Sequence, residues 1–148
     1  GLLDLMYGET LVDVGRINDP SRRYPGDVGI RTPEDLKTIT RVFEIKDKPI
    51  TEGDLKTFIS SVQESGVQIA CLLAVSRSQG ILAANESVRW AEARGIRFRV
   101  FTGWEELVKE TLFWSASPGI AVGAAARHVA RRLRFLEASQ EASSSWVG

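Results

Sequence analysis

Seven apolar residues in a row, Ile69-Ala70-Cys71-Leu72-Leu73-Ala74-Val75, constrain the fold of this chain more than any other segment. The run has the length of a strand, and a strand that is apolar at every position has both faces covered, as in parallel sheets joined by crossover helices. The flanking segments carry helical periodicity. Upstream, Leu55, Phe58, Ile59 and Val62 fall on one helical face, Thr51 and Asp54 form a capping arrangement before them, and Gly66 closes the pattern. Downstream, residues 88–94 read as a second helix, capped by Asn85 or Ser87 and stopped at Gly95. Residues 96–101 then alternate strictly, with Arg97 and Arg99 opposed to Phe98 and Val100, which marks a half-exposed strand.

The first third reads as strands. Residues 10–17 alternate well enough for a first strand, Val28-Gly29-Ile30 for a second and residues 41–46 for a third. The polar stretch 32–37, with Pro33 near its start, turns the second into the third as a hairpin. The last third is helical: residues 104–113, a break at Pro118-Gly119, then residues 121–137, with Val129, Leu133 and Leu136 on one stripe and Arg127, Arg131 and Arg134 on another face. Residues 143–148 read as a loose tail. This order of elements predicts an α/β fold with a mixed β-sheet flanked by helices, in one domain over residues 1–142.

The chemistry concentrates at the hairpin. Along a strand, side chains alternate between faces, so Glu44 and Lys46 share one face while Phe43 and Ile45 share the other. Pairing of the second and third strands brings Asp27 beside Glu44. Two carboxylates suit Mg²⁺, which accepts one or two of them together with water and substrate phosphate. An ammonium at Lys46 would orient or help deprotonate an attacking water and offset charge on the phosphate. The same triplet also fits a solvated strand face carrying an ion pair.

At Asp27, Glu44 and Lys46 the chain resembles the PD-(D/E)xK nuclease superfamily, which includes most type II restriction endonucleases. A narrower resemblance, to restriction endonucleases of the SacI kind, rests on Pro25-Gly26-Asp27-Val28 and Phe43-Glu44-Ile45-Lys46. It implies a restriction endonuclease-like fold over roughly residues 10–101 and Mg²⁺-dependent hydrolysis of a DNA phosphodiester, with Mn²⁺ as a substitute. Asp27 and Glu44 would ligate the metal with the backbone carbonyl of Ile45, and Lys46 would stand beside the attacking water. Two departures are visible. Gly26 precedes the first acid where the family name has proline, and few residues precede the first strand to supply a further helical acid, for which Glu9 and Asp13 are the candidate substitutes.

Other chemistries are poorly served. Cys71 is the single cysteine and sits in the apolar run, so no internal disulfide forms and a buried role is expected. His128 is the single histidine, which excludes a two-histidine zinc site, and it reads as a helix-surface residue among arginines. Neither a GxxxxGK[ST] loop nor a GxGxxG turn is present. The apolar runs are far shorter than the roughly 20 residues needed to span a bilayer, and residues 2–5 lack the basic start of a signal peptide, so a cytoplasmic location is expected. Net formal charge is zero, yet basic residues are clustered, and Arg22, Arg23 and Lys48 are the candidate contacts to nucleic acid.

Two functions follow as expectations. One is a Mg²⁺-dependent DNA endonuclease of restriction or defence type, acting as a homodimer because cutting both strands calls for two sites related by a two-fold axis. The other is a nuclease-fold DNA-binding or regulatory domain with little activity. At 148 residues the chain is short for a restriction enzyme and fits a catalytic module.

Overall fold

In the computed structural model, which describes residues 1–14, 24–115 and 118–135, the apolar run forms a strand and the elements follow in the order α1 (Leu2–Tyr7), β1 (Val12–Val14), β2 (Val28–Arg31), β3 (Ile39–Lys46), α2 (Glu52–Ser65), β4 (Ile69–Ala74), α3 (Ala84–Glu92), β5 (Arg97–Thr102), α4 (Trp104–Phe113) and α5 (Pro118–Phe135). The strands make one five-stranded sheet in the order β1-β2-β3-β4-β5. β2 and β3 pair antiparallel, whereas β3–β4 and β4–β5 pair parallel, so the sheet is mixed. No described helix is long and apolar enough to cross a membrane.

The chain divides into two compact units, one of residues 13–107 and one of residues 1–12 with 108–148. In the first, the crossover helices cover one face of the sheet. Val42, Ala70, Leu72 and Phe98 meet Leu55, Phe58, Ile59 and Val62 of α2 and Ala91 of α3. Leu55 and Ile59 are wholly buried, and each contributes about 1.5–3 kcal/mol of transfer free energy. On the other face Leu73 and Phe101 pack with Leu107, and Ile45, Cys71 and Val75 lie half-buried against them. β4 therefore has apolar cover on both sides, the physical reason for its unbroken run.

Local signals explain most boundaries. Thr51 and Asp54 form a reciprocal capping box at the start of α2, and Gly66, with φ of 76°, ends it in the left-handed conformation. The hairpin turn is organised by Asp35, whose Oδ1 accepts from the N–H groups of Lys37 (2.8 Å) and Thr38 (2.9 Å), while the Thr38 hydroxyl donates to Oδ2 (2.5 Å). These bonds hold the Asp35 carboxyl far below the usual carboxylate range, the Thr38 hydroxyl contributing most.

Three expectations are corrected. Neither Asn85 nor Ser87 caps α3, which begins at Ala84 with Ala83 as its N-cap and no side-chain cap bond. Ser87 is instead wholly buried. α5 begins three residues earlier than periodicity indicates, at Pro118, because proline fits the first turn, where its missing N–H has no intrahelical partner. His128 is half-buried rather than on the surface, with Nδ1 3.9 Å from Asp4. The first strand is described only over Val12–Val14, and the end of the last helix and the tail lie outside the described residues.

α1 was not anticipated. In the second unit its Asp4 is fully enclosed and faces Arg132 of α5, whose Nε and Nη2 donate to the two carboxylate oxygens at 3.1 and 2.9 Å. Nη2 also donates to the carbonyls of Glu9 and Val12, each at 3.2 Å.

Candidate functional site

Strand polarity changes at β3, and the candidate residues meet at that strand's carboxyl end. The register pairs Val28 with Phe43, so Asp27, one residue earlier, stands opposite Glu44. The Asp27 N–H donates to the Phe43 carbonyl at 2.7 Å, and the Ile45 N–H donates to Asp27 Oδ2 at 2.8 Å. Asp27 is therefore fixed by main-chain bonds on both its backbone and its carboxylate.

Glycine before Asp27 is a steric requirement. Gly26 has φ of 93°, and a Cβ there would lie 2.7 Å from the Phe43 carbonyl oxygen. Gly26→Ala is expected to destabilise the protein by about 1–3 kcal/mol in urea titration, because a left-handed backbone and a backbone clash coincide. A shift of Asp27 away from Ile45 should accompany it.

Glu44 and Lys46 form an ion pair, with side chains 15% and 34% exposed. The hydrogen bond that Lys46 donates to Glu44 raises the Lys46 pKa against the opposing effect of burial, and the charges of Glu44, Asp27 and Asp54 add to it. Lys46 is thus an ammonium in contact with Glu44 and within the field of Asp27 and Asp54. The Asp54 carboxyl is itself held low, first by the backbone and then by the side-chain hydrogen bonds of Thr51.

The remaining candidates scatter. Ile45 is half-buried on the opposite face from Glu44. Lys48 is exposed where the chain leaves β3, and its charge helps lower Asp54. Arg22 and Arg23 lie outside the described residues. Tyr24, from the same loop, reaches back over Gly29 and donates to the Asp13 carbonyl at 3.2 Å. Each candidate for a further acid is paired with an arginine, Asp13 with Arg31 at 2.8 Å and Glu9 with Arg131 at 2.5 Å. Gln63 is exposed. Among the described residues no group of three or more His, Cys, Asp or Glu side chains gathers as a metal cage. The pair Asp27 and Glu44 instead matches the sparse carboxylate set that Mg²⁺ takes with water and phosphate.

Sequence reasoning passed over Gln79. Its Oε1 accepts from the Ile50 N–H at 2.8 Å, and its Nε2 donates to the Ile50 and Gly80 carbonyls, each at 3.2 Å. It ties the loop after β4 to the segment leaving β3. Beside that loop lies a cleft of about 480 Å³ lined by Ala74, Ser76, Gln79, Ile81 and Thr102 among others.

No family model matches the chain. It is 28% identical over 116 residues to the type II restriction enzyme SacI of Streptomyces achromogenes, an alignment that covers 76% of this chain and 31% of that enzyme. The chain thus spans less than a third of the length of the curated relative that it matches.

Proposed function

We propose that the chain is the catalytic module of a Mg²⁺-dependent DNA endonuclease of restriction type, with a restriction endonuclease-like fold of the PD-(D/E)xK superfamily. The observation that carries this reading is the meeting of Asp27, Glu44 and Lys46 on one face at the end of β3. Similarity to a type II restriction enzyme supports it.

Each residue then has a part. Asp27 and Glu44 would hold the metal with the carbonyl of Ile45, while the Ile45 N–H donates to Asp27 Oδ2 and keeps that carboxylate in place. Bound Mg²⁺ supplies positive charge where negative charge builds on the phosphate. As an ammonium, Lys46 would orient the water whose oxygen attacks phosphorus while the bond from phosphorus to the leaving sugar oxygen breaks; the proton of the water passes to solvent and the leaving oxygen takes one from solvent. Plasmid and genomic DNA incubated with Mg²⁺ should be cut, and chelator should stop it. Discrete fragments would mark sequence-specific cutting and a smear nonspecific cutting. Intact DNA with both Mg²⁺ and Mn²⁺ would overturn the reading.

One observation favours a second reading, a nuclease-fold DNA-binding or regulatory domain with little activity: Glu9 and Asp13 are committed to arginines, leaving two carboxylates at the site. DNA binding without cleavage would select it.

We also propose that the enzyme acts as a homodimer on DNA. Sedimentation with a duplex in Ca²⁺, which should permit binding without cutting, is expected to show two chains per duplex, and a monomer both with and without DNA would refute it.

A further inference from the structure

The row of side chains that starts at Lys46 continues across the sheet. Lys46 is the register partner of Ala74, and Ala74 of Thr102, so the three lie side by side on one face at strand spacings of about 4.8 Å. The Val75 N–H donates to the Lys46 carbonyl at 2.9 Å and the Gly103 N–H to the Ala74 carbonyl at 2.8 Å, which carries the alignment past the strand ends. The middle side chain is a methyl group. Ala74 is itself buried, and with Thr102 it lines the floor of the cleft of about 480 Å³, a volume within the range of roughly 300–1,000 Å³ typical of small-ligand sites.

One wall of this cleft is the loop 76–82. The Ser78 N–H donates to Ser76 Oγ at 3.3 Å and the Gln79 N–H to the Ser76 carbonyl at 3.1 Å, in addition to the bonds that anchor Gln79 to Ile50. On this tied loop Ile81 is fully exposed. A single exposed isoleucine is ordinary; one that lines a cleft two strands from Lys46 is placed to meet what Lys46 holds. On the Thr102 side, the Glu106 carboxylate accepts from the Thr102 N–H at 2.9 Å and its hydroxyl at 3.4 Å. A carboxylate thus stands beside the Thr102 end of the cleft, and the Lys46 ammonium stands beside the Ala74 end.

We propose that this cleft binds the nucleotide next to the scissile phosphate, with the phosphate on the side of Lys46, the sugar and base between the loop 76–82 and Thr102, and Ile81 packed against them. This rests on the nuclease reading and adds to it a subsite made from the loop after β4. Because Ile81 is outside the core, its substitution separates binding from folding.

The test is fluorescence anisotropy of a labelled DNA duplex in Ca²⁺ with the whole chain and its Ile81→Ala, Ile81→Leu and Ile81→Asp variants. Calorimetric titration with Mn²⁺ and urea denaturation run in parallel. Ile81→Ala should bind DNA about tenfold more weakly and Ile81→Asp more weakly still, with Ile81→Leu close to the wild type. Mn²⁺ affinity and urea midpoint should be unchanged in all three. Equal DNA affinity across the series would overturn the subsite while leaving the nuclease reading intact. A wild-type chain that binds Mn²⁺ but no DNA would overturn the nuclease reading, and the subsite with it.

Discussion

Lys46→Ala should lower metal-dependent DNA cleavage by about 100- to 1,000-fold, the range seen when one preorganised electrostatic group is removed from a reacting centre. The same variant should bind Mn²⁺ at least as tightly as the wild type, because Lys46 pairs with Glu44 and so competes with a cation for that carboxylate. These two effects run in opposite directions, which separates a role in the reaction from a role in holding the site together. If Lys46 only neutralised Glu44 and Asp27 for stability, its loss would lower the urea midpoint and leave cleavage per folded molecule unchanged. Cleavage assays with equal concentrations of folded protein, beside Mn²⁺ calorimetry, decide between them.

Arg132→Met should destabilise the protein by about 3 kcal/mol, because it removes the main hydrogen-bond partner of a buried carboxylate, which keeps an ion pair with the Gly1 ammonium at 3.0 Å. The Asp4 side chain has no exposed surface and receives two hydrogen bonds from Arg132. Burial pushes the Asp4 carboxyl up, but hydrogen bonds led by those from Arg132 outweigh it and hold the carboxyl below its ordinary value. A carboxyl depressed in the folded state contributes stability that is present above its unfolded pKa and is lost as pH falls through the folded value. The destabilisation by Arg132→Met should therefore be largest near neutral pH and shrink in acid. Combining it with Asp4→Leu should recover much of the loss, since replacing both members of a buried ion pair is often neutral. Urea denaturation of the single and double variants at neutral and acidic pH measures both effects.

What was legible in the sequence was what short-range periodicity encodes. The bounds of α4, the capping box at Thr51 and Asp54, the hairpin of β2 and β3 and the doubly covered β4 all depend on residues within a turn or one strand of each other. Contacts between distant residues were not legible. Arg132 and Asp4 are 128 positions apart, and Gln79 and Ile50 are 29 apart; no local pattern joins either pair. α1 is only six residues long, too short to show a periodicity. At the candidate site, Asp27, Glu44 and Lys46 followed from strand alternation. The reason for Gly26 did not, because it lies in the Phe43 carbonyl across the ladder. Ser87 illustrates the opposite failure: its residue type suggests a cap, but its place in the packing is the core.

The hairpin turn bears on how such a module joins to other protein. β2 and β3 run antiparallel, so residues 32–38 lie at the end of the hairpin away from Asp27, Glu44 and Lys46. Residues 33–38 are exposed, and the turn is held together by Asp35 and by the Thr32 N–H bond to the Thr38 carbonyl at 2.9 Å. Exposed loop tips are where inserted sequence is best tolerated. If the proposed function holds, a DNA-reading domain grafted at this internally braced loop would leave the carboxylates at the far end of the hairpin undisturbed, so new specificities would be attached without altering the candidate site.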